Sequence, residues 1–183
     1  MSEVTKSDNQ ETEKKVVLRI KNISSDADYI ELLKCFYAYF NAVEKAIAPY
    51  INAVLSDYSE RCDSSYIKTD IEELGGSIEN LPAASATEIK NPIQAMGALY
   101  VLEGSIMGGP YIVQMLQKKG IEKGFSFFSG YGNESGQKWA SFTSVLNILP
   151  QTETDIANTV DAARETFKRF GNVFEIARSI EVQ

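Results

Sequence analysis

Apolar residues recur at steps of three and four along two long segments of the chain, which is the spacing of one helix face. The first segment runs from about residue 27 to 48, with Asp26 or Asp28 as the candidate N-cap and Pro49 directly after it. The second segment covers about residues 154–181. Neither segment alternates apolar and polar residues as a half-buried strand would. Both patterns therefore predict long helices with one buried face.

Less regular apolar patterns predict the remaining elements. A third long helix and four shorter ones are expected over about residues 88–119, 2–20, 50–60, 65–74 and 137–148. The aromatic and glycine-rich stretch over residues 125–136 predicts a loop. No internal repeat or low-complexity linker divides the sequence. The pattern thus predicts an all-α protein with a single domain over residues 1–183, built as a compact multi-helical array.

Length and charge narrow the classes of protein that fit. A chain of 183 residues is long enough to bury about two-thirds of its unfolded surface in one core. No apolar run approaches the roughly 20 residues that cross a bilayer, and the polar N-terminus is unlike a signal peptide. We therefore expect a cytoplasmic protein with no membrane partner. The net charge of −7, with both signs interspersed, disfavours nucleic acid as a partner.

The sequence contains no histidine. This excludes Ser-His-Asp and Cys-His catalysis, most zinc sites and any histidine-ligated heme. The two cysteines, Cys35 and Cys62, do not have the spacing of a metal site. Cys35 lies on the apolar face of a predicted helix and is better explained as a buried thiol. A heme iron in this protein would have to be open or bound by another side chain.

Residues 103–110 combine three glycines with a proline inside the third long helix. Each glycine costs about 1 kcal/mol relative to alanine in a helix interior. Pro110 removes a hydrogen bond and clashes with the carbonyl four residues earlier. A helix with this composition is expected to bend. Because glycine has no side chain, another group can also approach the helix backbone closely. A flat ligand, a neighbouring helix and a break into two helices all remain open explanations.

Several segments, in the same order along the chain, resemble bacterial biliverdin-producing heme oxygenases. Ala98 to Gly109, with the sequence ALYVLEGSIMGG, closely resembles the family's distal helix, whose glycine-rich kink lies over one face of the heme. Phe127 to Gly132 and Trp139 to Phe142 resemble the next loop and helix. Ala162 to Phe167 is similar to the last long helix, and Tyr29 to Glu44 to the second helix. The resemblance covers nearly the whole chain and implies the heme oxygenase-like fold.

The resemblance implies that heme is both substrate and cofactor and is cleaved oxidatively to biliverdin, carbon monoxide and iron. The implied electron donor is a reductase or a ferredoxin. The candidate catalytic residues are Gly104, Ser105, Gly108 and Gly109, which would admit the ring and aim backbone groups at bound oxygen. Ser105 stands where some relatives carry an aspartate that organises distal water. The alternative for Ser105 is a hydrogen bond to its own helix.

The N-terminus departs from the family's pattern at the position of the iron ligand. The family's proximal helix carries a threonine, the iron-ligating histidine four residues later and a glutamate after four more. This sequence has Thr5, Asn9 and Glu13 at that spacing. The resemblance therefore places Asn9 at the metal, Lys6 near the heme propionates and Glu13 among the cofactor-binding residues. A carboxamide is a far weaker ligand to iron than imidazole, although it could bind weakly through its oxygen or hold a water.

The apolar candidates for the pocket wall are Tyr100, Met107, Phe167 and Phe170, with core packing as the alternative. Two functions stay open: a heme oxygenase with an unusual proximal side, and a noncatalytic relative. The second, a pseudoenzyme, would bind heme or another tetrapyrrole or act as a regulatory partner. The glycines favour a surviving flat pocket, whereas the missing histidine favours lost turnover. A surviving pocket is expected between the proximal helix, the glycine segment and residues 167–170.

Overall fold

The chain folds into a helical array with no strand between residues 1 and 181. The computed structural model describes the backbone of residues 1–181 and the side chains of residues 1–177; positions 182 and 183 of the predicted domain lie outside this range. Its six α-helices are α1 (Lys6–Lys21), α2 (Asp26–Ile51), α3 (Ser64–Glu73), α4 (Pro92–Lys118), α5 (Ser135–Ile148) and α6 (Glu153–Glu181). The prediction of an all-α fold is confirmed.

Helix α2 lies at the centre of the core and packs against α3, α4 and α6. Its apolar stripe is buried along its whole length, and Cys35 is buried with it, as expected. The ring of Phe36 is the hub of an aromatic cluster, with centroid distances of 5.0 Å to 6.4 Å to the rings of Phe40, Phe127, Phe128, Phe170 and Phe174. Such pairs add about 0.5–1.5 kcal/mol each beyond the area that they bury. The cluster therefore joins α2, α6 and the loop before α5.

The ends of the helices differ from the predictions in several places. The N-cap of α2 is Ser25, whose hydroxyl accepts a hydrogen bond from the amide of Asp28 at 3.2 Å. Pro49 lies inside α2 and does not end it, because the missing hydrogen bond falls in the last turn. The helix predicted over residues 50–60 is wrong: a short 3-10 turn, Tyr58–Glu60, stands there.

The start of α4 was also placed too early by the apolar pattern. The helix begins at Pro92, and the Asn91 side chain accepts a hydrogen bond from the amide of Gln94 at 2.9 Å. This is a standard cap, followed by proline at the first helical position. Within the part of the chain that the structure describes, no helix is long and apolar enough to span a membrane.

Helix α4 runs without a break through the glycine segment, so the alternative of two separate helices is wrong. Its glycines fall into two groups. A Cβ atom at Gly97 would collide with the Thr159 carbonyl on α6, and one at Gly109 would collide with the backbone of Phe128. By contrast, a Cβ atom at Gly104 or Gly108 would meet nothing within 4 Å. The first group allows close packing, and the second faces open space.

Glu44 is a partly buried carboxyl group of α2 beside the start of α3. It accepts hydrogen bonds from the Ser64 amide at 2.7 Å and from the Ser64 hydroxyl at 2.6 Å. Burial raises the pKa of Glu44 to about 7, and the hydrogen bonds from Ser64 offset part of this effect. The nearby carboxylate of Asp63 raises the pKa further.

We expect Glu44→Gln to reduce the pH dependence of the unfolding free energy between the ordinary value of 4.5 and about 7. In this window the folded wild type keeps the Glu44 proton and the unfolded chain releases it. Stability therefore falls as the pH rises, and glutamine removes this contribution. Urea unfolding at pH 5 and pH 7 measures the difference. Glu11→Gln, at an exposed position of α1, is the control and should behave as the wild type; equal pH slopes in all three proteins would contradict the expectation.

Candidate functional site

A cavity of about 350 Å³ lies between α1 and α4, with α6 and α2 at its base. Helix α1 contributes residues between positions 9 and 17, and α4 contributes residues between positions 100 and 115. Phe167 and Phe170 of α6 reach it from below. The three regions expected to enclose a pocket thus line one cavity.

The α4 wall of the cavity contains a strip of bare backbone. Gly104 and Gly108 are one helical turn apart, both line the cavity, and neither would bring a Cβ atom within 4 Å of another group. Ser105 also lines the cavity, but its hydroxyl donates to the Val101 carbonyl at 2.8 Å. This is the hydrogen bond to its own helix that the sequence left open. A flat group can therefore lie directly against the α4 backbone.

The opposite wall is the face of α1 that carries Asn9. Asn9 lines the cavity, and its Nδ2 atom donates to Oε1 of Glu13 at 3.3 Å. Thr12, which the sequence reasoning did not single out, is buried on the same face. Its hydroxyl donates to the carbonyls of Asp8 at 3.0 Å and Phe167 at 3.1 Å. The three-residue spacing from Asn9 was the signal that places Thr12 on this face.

The rest of the lining is mostly apolar and aromatic. Tyr100 and the two α6 phenylalanines lie where the sequence predicted a pocket wall, although Phe170 also belongs to the aromatic core. The prediction missed Phe36 in the floor and Tyr111 on the α4 wall, which is 73% exposed. Tyr111 follows Gly104 and Gly108 at helical spacing, so the helical period of α4 could have placed Tyr111 on the same face as the two glycines.

Three predicted site residues lie away from the cavity lining. Lys6 is exposed at the first turn of α1, and Met107 and Gly109 lie on other faces of α4. Successive residues of a helix are rotated by about 100° around its axis. The two neighbours of Gly108 in the sequence therefore face away from the cavity that Gly108 faces. Gly109 instead allows the loop at Phe128 to pack closely against α4.

No cationic side chain lines the cavity among the described residues, and Glu13 is its one charged group. Lys138 and Arg169, two cationic side chains outside the lining, form ion pairs elsewhere. Lys138 lies 3.5 Å from Asp57, and Arg169 lies 2.9 Å from Glu165. Residues 1–177 also hold no cluster of three or more histidine, cysteine or acidic side chains suited to a metal ion.

A buried ion pair holds α4 immediately before Gly104. Oε2 of Glu103 accepts a hydrogen bond from Arg61 at 2.9 Å, and Oε1 accepts one from the Tyr131 hydroxyl at 3.1 Å. Arg61 also binds Asp57 at 3.0 Å. Burial raises the pKa of the Glu103 carboxyl, and the charge of Arg61 opposes that rise. A buried carboxylate in an apolar helix requires such partners, but the sequence did not reveal which residues they are.

The comparisons with known proteins agree with this architecture. The family model for heme oxygenases matches residues 1–176. A heme oxygenase from Xanthomonas campestris pv. campestris is 26% identical over 149 residues, which cover 79% of this chain and 88% of that protein. The NO- and CO-bound heme oxygenase from Neisseria meningitidis matches this structure with a TM-score of 0.83 at 21% identity. The match covers 97% of this chain and 89% of the Neisseria chain.

A second solved structure is the complex of heme oxygenase-1 from the cyanobacterium Synechocystis sp. PCC6803 with heme. It has a TM-score of 0.75 at 17% identity, over 99% of this chain and 94% of that chain. Both structural matches show the fold, and the family model covers all six helices except the end of α6. The resemblance predicted from the sequence is therefore confirmed, and this chain belongs to the heme oxygenase family.

Proposed function

We propose that the cavity between α1 and α4 binds heme as the substrate for oxidative cleavage to biliverdin, carbon monoxide and iron. The observation that carries the proposal is the bare strip at Gly104 and Gly108, which faces open space in a helix of a heme oxygenase-type fold. Cavities that hold small molecules are usually apolar with a few polar groups, and this lining has that character. The site therefore fits the flat porphyrin ring.

The same walls fit the iron of heme less well than the ring. Asn9 is the side chain at the expected ligand position, and its amide nitrogen is hydrogen-bonded to Glu13. Its remaining carboxamide oxygen is a weak ligand. For this reason we expect slower turnover than in a histidine-ligated heme oxygenase.

The replacement at position 9 also supports a second candidate function. A noncatalytic relative would keep walls that bind the ring and lose the proximal ligand; the open strip at Gly104 and Gly108 and the asparagine at position 9 support this candidate. Such a pseudoenzyme would bind heme or another tetrapyrrole without cleaving it. Both candidates require a tetrapyrrole in the cavity, and they differ in turnover.

Heme titration followed by a reduction assay tests the proposal. Hemin binding is followed by the fluorescence of Trp139, the single tryptophan, whose ring lies 5.9 Å from the ring of Tyr100 in the cavity wall. Ascorbate is then added, and biliverdin is detected by its visible absorption. We expect saturable binding and slow biliverdin formation. Binding without product would favour the noncatalytic candidate, and no binding would refute both.

Two further parts of the proposal rest on the family relationship. An enzyme of this type needs electrons, so the proposed partner is a reductase or a ferredoxin. The proposed location is the cytoplasm, where such donors are found. Replacing ascorbate with a ferredoxin and its reductase in the same assay tests the first point: faster biliverdin formation supports the donor, and an unchanged rate opposes it.

A further inference from the structure

We infer that the cavity selects its ligand by the tetrapyrrole ring and not by the central metal, so that metal-free protoporphyrin IX binds about as tightly as hemin. The inference rests on the proposed function, because it assumes that a tetrapyrrole occupies this cavity. It goes further by stating which part of the ligand the walls recognise.

Three polar side chains on the two long walls donate hydrogen bonds within the protein. Asn9 donates to Glu13 at 3.3 Å, and Ser105 donates to the Val101 carbonyl at 2.8 Å. Thr12, on the α1 wall, donates to the carbonyls of Asp8 and Phe167. With no histidine in the sequence, neither wall offers a strong nitrogen ligand to a metal in the ring.

The contacts available to the ring itself do not depend on a metal. One face of the ring would lie on the Gly104 and Gly108 backbone, and its edges would meet Tyr100, Phe167 and Phe36. The free energy of burying apolar surface depends on the area removed from water, and this area is nearly the same for hemin and protoporphyrin IX. The two ligands also carry the same propionates, so the absence of a lining cation affects both equally.

Four other lining residues carry an oxygen or sulfur atom that could bind the metal, and such a bond would contradict this inference. Glu13 is exposed and already accepts the hydrogen bond from Asn9, and Tyr111 is 73% exposed. The ring of Tyr100 packs 5.9 Å from Trp139. Met115 offers a thioether, which is neutral. A bond from any of these to iron would appear as a preference for hemin over the metal-free ring.

The test compares the two ligands in one protein with one reporter. Quenching of Trp139 fluorescence gives the Kd for hemin and for protoporphyrin IX under identical conditions. We expect the two Kd values to agree within about threefold, because a metal bond that is absent adds no free energy to the hemin complex. The ratio of the two Kd values should stay the same in Asn9→Ala, because Asn9 contributes no bond to the metal. Alanine is a strong helix former, so α1 should fold in this variant.

The remaining outcomes separate this inference from the proposed function. Hemin binding that is tighter by about tenfold or more would overturn the inference and leave the proposed function intact. Loss of that preference in Asn9→Ala would identify Asn9 as the iron ligand. Loss of the preference in one of four other variants would identify the replaced residue as the ligand: Glu13→Gln, Tyr100→Phe, Tyr111→Phe or Met115→Leu. If neither tetrapyrrole binds, the proposed function and the inference both fail.

Discussion

Gly108→Leu should abolish hemin binding while leaving the helical content unchanged. The Cβ position of Gly108 points into open space in the cavity, so a leucine side chain would occupy the volume that a flat ring needs. Leucine is also a better helix former than glycine, and α4 should fold at least as well. We expect hemin affinity to fall by at least about a hundredfold, which corresponds to about 2.8 kcal/mol. Trp139 quenching measures the affinity, and far-ultraviolet circular dichroism measures the helix content.

Gly136→Leu is the matched control for this prediction. Gly136 is an exposed glycine in α5, its Cβ position is also open, and it does not line the cavity. The control variant should bind hemin like the wild type. If Gly108→Leu binds hemin as well as the parent protein, then α4 does not form the distal wall and the site assignment is wrong.

Asn9→His should create a bond between the side chain at position 9 and the heme iron. Imidazole is a longer side chain and a much stronger iron ligand than a carboxamide, and position 9 already lines the cavity. We expect hemin affinity to rise by about ten- to a hundredfold, or about 1.4–2.8 kcal/mol. The visible spectrum should become that of a histidine-ligated ferric heme. With ascorbate or a reductase, this variant should form more biliverdin than the wild type.

Several controls keep the Asn9→His experiment specific. Gln10→His adds a histidine at the adjacent exposed position, outside the cavity lining, and should leave the hemin spectrum unchanged. Affinity for metal-free protoporphyrin IX should not rise in Asn9→His, and added imidazole should reproduce part of the spectral change in the wild type. A spectrum identical to the parent would show that residue 9 is not the proximal position. Efficient wild-type turnover would show that the missing histidine does not limit the reaction.

The apolar stripes allowed the all-α fold to be predicted, because the local spacing of apolar residues shows which face of each helix is buried. The stripe from Tyr29 to Ile47 is buried along its length, as predicted. The capping residues were harder to identify, since several polar residues precede α2 and only Ser25 has the geometry to accept from the helix. Local sequence thus determines which segments are helical more firmly than where each helix begins.

The candidate site was predicted only in part, because residue type does not reveal what lies opposite each residue. Gly108 and Gly109 are identical in sequence terms, yet one faces the cavity and the other faces the Phe128 backbone. The ion pair of Arg61 with Glu103 joins positions 42 residues apart along the chain. Such contacts arise from tertiary packing, and no local pattern encodes them.

The two walls of the cavity differ in how firmly they are fixed. Helix α4 is fixed at three points: Gly97 packs on α6, Glu103 is bound by Arg61, and Gly109 packs on the loop. Helix α1 packs mainly on α6 and buries only Thr12, Val16 and Ile20.

The two helices that form the walls of the cavity should therefore move by different amounts, α1 more than α4. Local opening occurs first in the elements with the fewest buried contacts, so we expect α1 to move outward while α4 stays in place. A rigid planar molecule would enter by lifting α1 from α6, and its residence time would follow the rate of that opening. Amide hydrogen exchange should be faster in α1 than in α4, and ligand binding should slow it chiefly in α1; equal exchange in both helices would show that the cavity does not open from this side.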